Sequence, residues 1–125
     1  MERTEAEKKI GEISDKIIRE YHPEKIILFG SWAWGESHED SDIDLLVVME
    51  SDRPRIERQR EMCAFFSRRE IALDILVYTP DELEESINKH RNLFLEDIVY
   101  NGKMLYTKPG FHISLVHEPA ELVKA

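Results

Sequence analysis

Two short apolar runs, separated by a turn and a pair of aspartates, constrain the fold of this chain most strongly. The runs cover residues 26–29 and 45–48, and a Gly-Ser pair (residues 30–31) and an Asp-Ile-Asp motif (residues 42–44) lie between them. Carboxylates at the start of a buried strand are costly unless a cation compensates them. A tight Gly-Ser turn offers backbone N–H groups and a hydroxyl to an anion. The segment therefore contains the parts of a metal–triphosphate site.

Each half of this segment also has an ordinary structural explanation. A Gly-Ser pair often forms a plain turn, and aspartates often cap or solvate the start of a strand. The spacing of Asp42 and Asp44 favours a functional site, because residues two apart on a strand project to one face, about 7 Å apart at their Cα atoms. One divalent cation can draw such carboxylates together, and magnesium prefers one or two carboxylates plus substrate phosphates.

The composition indicates one acidic domain. The 125 residues include 26 acidic and 17 basic ones, for a formal charge of −9. This balance argues against nonspecific binding of nucleic acid, which needs clustered lysine and arginine. The single cysteine, Cys63, allows neither a disulfide framework nor a zinc cluster. No apolar stretch approaches the roughly 20 residues of a membrane span, and the first residues lack a hydrophobic signal core, so we expect a cytoplasmic protein.

The hydrophobic pattern predicts an α/β (α+β) fold, with a small mixed β-sheet flanked by helices. The expected strands cover residues 25–29, 42–49, 71–78 and 104–106. The expected helices lie near residues 4–21, 31–34 and 92–100, with a long helix after Pro54 and a short one that begins at a Thr79–Glu82 capping box. On the long helix, Ile56, Cys63 and Phe66 are expected to share one side. The arginines of residues 53–69 are expected on its solvated face.

The chain changes character after a Lys-Pro-Gly sequence. We assign residues 1–107 to one domain and residues 108–125 to a C-terminal extension. Phe111, Ile113 and Leu115 alternate with polar residues, which suits an edge strand or an arm laid on a partner. The last residues suit a short amphipathic segment or a disordered tail equally well.

Asp74 is a third informative carboxylate, because it interrupts an otherwise apolar predicted strand. It could face solvent while Leu73 and Ile75 point inward, but its same-face neighbours Ala72 and Leu76 are also apolar. If its strand pairs with the strand that follows the Asp-Ile-Asp motif, three carboxylates converge on one cluster. Like charges at close range repel and raise a pKa unless cations bind. Metal ions would resolve the conflict.

These residues resemble the nucleotidyltransferase superfamily of DNA polymerase β and kanamycin nucleotidyltransferase. The resemblance covers roughly residues 5–106 and rests on Gly30-Ser31, on Asp42 and Asp44 after ten intervening residues, and on Asp74 in a later strand. The small size resembles the minimal nucleotidyltransferases, which are commonly the antitoxin half of a pair with an all-helical HEPN protein. On this resemblance, residues 1–107 are a minimal nucleotidyltransferase domain with the nucleotidyltransferase fold.

The resemblance implies a role for each matched residue. Gly30 would let the backbone approach the triphosphate of ATP, and Ser31 would hydrogen-bond a phosphate oxygen. Asp42 and Asp44 would ligate two magnesium ions, and Asp74 would complete this metal site and assist deprotonation of the attacking hydroxyl. Two ions about 3.5–4 Å apart stabilise the attacking and leaving oxygens of such an in-line displacement. The three aspartates are therefore the expected metal ligands and catalytic residues.

Trp32 and Trp34 depart from the family pattern, because many relatives carry arginine there. Two phosphate-binding cations are thus missing. The tryptophans could cover the base of the nucleotide or pack the short helix into the core, and packing is the more frequent role of an indole.

The function that the resemblance implies is magnesium-dependent transfer of AMP from ATP to a tyrosine hydroxyl of a HEPN-type toxin. None of the five histidines has an arginine at the spacing of the HEPN ribonuclease signature, so the chain is not the toxin half. In a chain of 125 residues, we expect no added acceptor-binding domain. A partner is therefore expected to bring the acceptor, and a homo-oligomer or a hetero-oligomer is possible.

Two alternatives belong to other classes. The chain could be a catalytically vestigial binding module that neutralises its partner by complex formation; the three aspartates argue against this, and the missing arginines argue for it. It could also modify a small molecule or an RNA end, against which the acidic composition and the absence of an acceptor domain both argue.

Overall fold

A four-stranded mixed sheet organises the structure, a computed structural model that describes residues 3–35, 42–66 and 72–116. The strands are β1 (Lys25–Phe29), β2 (Ile43–Val48), β3 (Leu73–Tyr78) and β4 (Lys103–Thr107), in the spatial order β3-β2-β1-β4. β2 and β3 are parallel, whereas β1 is antiparallel to both β2 and β4. The predicted mixed sheet is confirmed. β2 begins one residue later than expected, so that Asp42 lies just before the strand.

Helices connect the strands and cover both faces of the sheet. In the described ranges they are α1 (Arg3–Tyr21), α2 (Ser31–Trp34), α3 (Arg55–Phe65), α4 (Pro80–Asn88) and α5 (Leu93–Asn101). The predicted capping box starts α4, because Thr79 Oγ1 accepts from the Glu82 amide at 3.1 Å and Glu82 Oε1 accepts from the Thr79 amide at 3.0 Å. None of the helices in these ranges has the length and apolarity that a membrane crossing requires.

The sheet has one hydrophobic cluster on each face. On one face, α1 and α3 pack against alternate residues of the three strands β1 to β3, including Leu45. On the other face, α4 and α5 pack against the intervening residues, including Leu46. β2 is buried on both faces, as its unbroken apolar run predicts. Because Asp44 is two residues before Leu46, its side chain lies on the face that α4 and α5 cover.

The predicted shared side of the long helix is wrong for Ile56 and Cys63, although Phe66 is buried. Ile56 is 64% exposed and Cys63 is also exposed, whereas Arg58, Met62 and Phe66 are buried. The buried residues are spaced four apart, as one helix face requires. The prediction that the arginines of this region lie on a solvated face is therefore wrong for Arg58, which is the first residue of the buried side.

Arg58 is buried because other groups satisfy its guanidinium. Its Nη1 donates to Val77 O at 3.1 Å, and Nη1 and Nη2 donate to the two carboxylate oxygens of Glu82 at 2.9 and 2.6 Å. Burial alone would raise the pKa of Glu82, but hydrogen bonds from Arg58 and from the Thr79 backbone outweigh it and lower that pKa. This bidentate pair joins α3 to β3 and to the start of α4.

β3 is an edge strand, and α3 covers its outer side at Val77. The backbone groups of the even-numbered residues of β3 form the hydrogen bonds to β2. One example is the Met49 amide, which donates to Tyr78 O. The N–H and C=O groups of Val77 therefore point outward. The N–H donates to Gln59 Oε1 at 3.1 Å, and the C=O accepts from Arg58.

The segment after β4 packs against its own domain. Of the two expected alternatives, an edge strand or an arm laid on a partner, the edge strand is therefore not formed. Residues 111–116 have no regular secondary structure. Three of their apolar side chains pack against the cluster beneath α4 and α5, namely those of Phe111, Ile113 and Leu115. The Ser114 amide donates to Glu84 Oε2 at 2.8 Å, and Asn88 Nδ2 donates to Ser114 O at 2.8 Å. The predicted tail from residue 117 onward lies outside the described residues, as does residue 71 of the third expected strand.

Candidate active site

Two aspartates lie directly opposite each other where the parallel strands β2 and β3 begin. Asp44 and Asp74 are partners in the strand register. Neighbouring strands lie about 4.8 Å apart, and register partners project to the same face. Asp42 lies two residues before Asp44. The predicted convergence of the three carboxylates requires the third strand to pair with the second, and this pairing is present.

The environment of Asp44 disfavours its negative charge. Its side chain is partly buried, whereas Asp42 and Asp74 are exposed. Burial raises the pKa of Asp44 to about 6, and the charges of Asp74 and then Asp42 add to the shift. A cation bound beside these carboxylates would reverse the repulsion. Perturbed carboxylates of this kind are common at functional sites.

The donor atoms at this edge suit a magnesium ion. Asp42, Asp44 and Asp74 supply only carboxylate oxygens, the ligands that this hard cation prefers. Within residues 3–35, 42–66 and 72–116, no three acidic, histidine or cysteine side chains are already gathered closely enough to hold a metal together. The aspartates therefore share an edge of the sheet without meeting at one point, and ion binding requires their carboxylates to turn toward each other.

The turn after β1 brings backbone against the Asp44 carboxylate. Gly30 has φ 77° and ψ −159°, a conformation that is essentially restricted to glycine. A Cβ built on Gly30 would overlap Asp44 Oδ2 and lie 3.0 Å from Asp44 Cγ. The Gly30 carbonyl also accepts hydrogen bonds from the amides of Ala33 and Trp34 at 3.0 and 3.1 Å. These bonds form the turn of α2. Ser31 is the first residue of α2 and is half-buried.

The two tryptophans of α2 have different environments. Trp32 is only 4% exposed and packs into the cluster beneath α1, so the packing alternative holds for it. Trp34 is 45% exposed, and its indole Nε1 donates to Asn101 O at 3.3 Å. Trp34 therefore links α2 to the C-terminal end of α5.

Sequence reasoning missed an aromatic pair beside the aspartates. Phe29 is the register partner of Asp44 in β1 and lies in the cluster beneath α5. Its ring meets that of Phe94 edge to face, with centroids 5.8 Å apart and planes at 84°. The sequence signal that could have indicated this pair is the apolar Leu93-Phe94 dipeptide at the start of the predicted helix. Neither residue is part of the buried core.

The family model for polymerase beta nucleotidyltransferases matches residues 11–110. The chain belongs to this family. The match includes Gly30, Ser31 and the three aspartates. The nucleotidyltransferase fold and the enzyme class expected from the sequence are thereby confirmed.

Known proteins similar to this nucleotidyltransferase include one from Methanocaldococcus jannaschii, which bears the name "putative protein adenylyltransferase". It is 32% identical over 103 residues, which are 80% of this chain and 97% of the relative. A crystal structure described as a "putative nucleotidyltransferase" from Sulfolobus solfataricus shares the fold, with a TM-score of 0.56 and 22% identity over 90% of this chain and 94% of that chain. A toxin–antitoxin structure with AMP-PNP aligns with a TM-score of 0.47 and 22% identity over 79% of this chain and 74% of that chain.

Proposed function

We propose that this nucleotidyltransferase transfers AMP from ATP to a tyrosine hydroxyl of a HEPN-type toxin in the cytoplasm, in a magnesium-dependent reaction. The observation that carries the proposal is the register pairing of Asp44 with Asp74 beside Gly30. It collects mutually repelling carboxylates next to a turn that only glycine can form. Such an arrangement favours binding of a cation together with an anion.

The proposed roles are those that the family resemblance implies, and the positions of the residues are compatible with them. Asp42, Asp44 and Asp74 hold two magnesium ions, which when bound neutralise the charge of the phosphates. On the resemblance, the Gly30 turn, which lies against the Asp44 carboxylate, approaches the triphosphate, and the Ser31 hydroxyl donates to a phosphate oxygen. We assign Asp74 to accept the proton of the attacking hydroxyl; its exposure and the absence of a strand on its outer side, at the described residues, support this role. Positioning and charge neutralisation would supply most of the acceleration, as is usual in phosphoryl-type transfers.

A protein acceptor is supported by the relative from Methanocaldococcus jannaschii. The name of that relative specifies a protein as the acceptor of the adenylyl group, and the match covers 97% of the relative's length. The tyrosine hydroxyl and the HEPN-type partner are proposed from the resemblance of the Gly-Ser and aspartate motifs to minimal nucleotidyltransferases.

The decisive experiment combines the chain with ATP, magnesium and the product of the neighbouring gene, and measures the intact mass of that product. We expect a gain of one or more AMP units, located on tyrosine by peptide sequencing. Asp44→Asn should abolish the gain. Asp81→Asn is the matched control, because Asp81 is an exposed carboxylate in the first turn of α4, beyond the opposite end of β3.

A vestigial binding module is the second candidate, and the tryptophans at residues 32 and 34, where many relatives carry arginine, favour it. Neither Trp32, which is buried, nor Trp34, which bonds Asn101, supplies a cation to the phosphates. A stable complex with the partner, with no change in mass and no effect of Asp44→Asn on affinity, would establish this alternative.

A further inference from the structure

Phe94 presents an exposed aromatic ring close to the aspartates. The side chain is 57% exposed although it is aromatic and apolar. One buried ring, that of Phe29, separates it from Asp44, since Phe29 contacts Phe94 and is the register partner of Asp44. The exposed ring therefore borders the same face of the sheet as the proposed triphosphate site.

The helix that carries Phe94 is held firmly against β1 at its far end. A Cβ on Gly102 would lie 2.5 Å from Ile27 Cγ2 and 3.0 Å from Leu28 O, so the backbone at the end of α5 contacts the strand directly. The hydrogen bond from Trp34 Nε1 to Asn101 O fixes the same end to α2, which begins at the Gly-Ser turn. At the near end, the ring packs edge to face against Phe29. The helix that presents Phe94 is thus anchored before any ligand binds, and such preorganisation reduces the entropy lost on binding.

We propose that the nucleobase of the bound nucleotide stacks on Phe94, an inference that rests on the proposed nucleotidyl transfer. An aromatic ring stacks on any base, because every base has a π-face. The surroundings are compatible with this part of the nucleotide, because the base is uncharged and the exposed ring of Phe94 offers an apolar surface. Trp32 cannot serve instead because it is buried. Phe94 contacts Phe29, which directly precedes the Gly-Ser turn, so the ring lies next to the element at which the phosphates are proposed to bind.

Two ligands separate stacking from phosphate binding. The folded chain is titrated with a nonhydrolysable ATP analogue and with inorganic tripolyphosphate, both in the presence of magnesium. We expect Phe94→Ala to weaken binding of the analogue about tenfold or more, since loss of one base–aromatic stack has an effect of this order. Binding of tripolyphosphate should not change. Phe94→Trp should bind the analogue as tightly as the original chain or more tightly.

Two further variants serve as controls. Leu93→Ala removes a neighbouring side chain of similar exposure, on a different side of the helix, and should bind both ligands normally. Phe94→Leu keeps an apolar contact with Phe29 but removes the ring. It should bind the analogue as weakly as Phe94→Ala while unfolding at the same temperature as the original chain.

Several results would overturn the stacking proposal. One is normal binding of the analogue by Phe94→Ala; another is an equal loss of analogue and tripolyphosphate. Normal binding of the analogue with slower modification of the partner would assign Phe94 to the acceptor instead. Failure of the proposed function looks different, because tripolyphosphate would then bind without magnesium dependence or would be unaffected by Asp44→Asn.

Discussion

The carboxylate of Asp44 lies in the space that a side chain at residue 30 would occupy. The turn after β1 and the start of β2 therefore depend on each other: the backbone can approach the carboxylate only because residue 30 is glycine. The left-handed φ of Gly30 adds a second requirement for the same residue. The site is consequently sensitive to a single added methyl group.

We expect Gly30→Ala to lower the free energy of unfolding by about 1–3 kcal/mol, because its backbone conformation is nearly exclusive to glycine, and to abolish nucleotide binding by displacing Asp44. Gly35→Ala is the matched control. Gly35 also has a positive φ, but no atom lies within 4 Å of its Cβ position, so strain alone should cost about 1 kcal/mol. Urea unfolding and nucleotide titration measure the two effects. Equal nucleotide affinity in the two variants would contradict the importance of the contact with Asp44.

Asp44 should destabilise the metal-free protein at neutral pH. Its pKa is about 6 in the folded chain and 3.8 ordinarily, so the folded state binds more protons between these values. The stability that Asp44 contributes is fully present below about pH 4 and is lost as the pH rises through 6. Asp44→Asn should therefore raise the free energy of unfolding at pH 7 by about 1 kcal/mol, a value reduced for solvent screening.

The same variant should bring no gain at pH 4, where Asp44 is largely protonated. Magnesium should raise the unfolding temperature of the original chain but not that of Asp44→Asn. Thermal unfolding at both pH values, with and without the ion, provides the measurement. A loss of stability in Asp44→Asn at pH 7 would show that the carboxylate is structural.

Removing the buried guanidinium should cost much more than removing an exposed one. Arg58→Met leaves Val77 O without its donor and separates Glu82 from its bidentate partner, and we expect a loss of about 2–4 kcal/mol. Arg60→Met, an exposed change on the same helix, should cost less than about 0.5 kcal/mol. Chemical denaturation compares them, and adding Glu82→Gln to Arg58→Met should recover part of the loss. Similar costs for both arginines would refute this account.

Gly11→Ala should stabilise the chain. Gly11 lies in the interior of α1, is exposed, and has no atom within 4 Å of its Cβ position. Alanine there should add about 0.5–1 kcal/mol and raise the unfolding temperature by about 2–5 °C. A scanning calorimetry comparison with the original chain tests this, and an unchanged or lower temperature would mean that the helix is strained at this position.

The positions of the candidate site residues beside their strands were largely predictable because the signals are local. Gly30 and Ser31 end one apolar run, and Asp42 and Asp44 begin the next, so each motif is placed by the strand beside it. The hydrophobic periodicity alone could not predict the position of Asp74. That position also depends on the parallel pairing of β3 with β2 and on the register that sets Asp74 opposite Asp44.

Other features were missed because they depend on partners distant in sequence. Arg58 is buried through groups 19 and 24 residues away in the sequence, and a helical pattern that counts arginine as polar assigns it to solvent. The prediction for Ile56 was wrong for a related reason. An apolar side chain in a sequence does not show whether another element packs against it, and Ile56 is exposed. Phe94 could be recognised as a neighbour of the site only once Phe29 was known to pair with Asp44.

The outward groups of Val77 have a consequence for how the molecule behaves in a crowded solution. An open strand edge is a template on which copies of a protein aggregate. Here Gln59 and Arg58 occupy the hydrogen-bonding positions that an added strand would need at Val77. This nucleotidyltransferase can therefore keep exposed carboxylates at one end of β3 while the other end of the strand resists self-assembly.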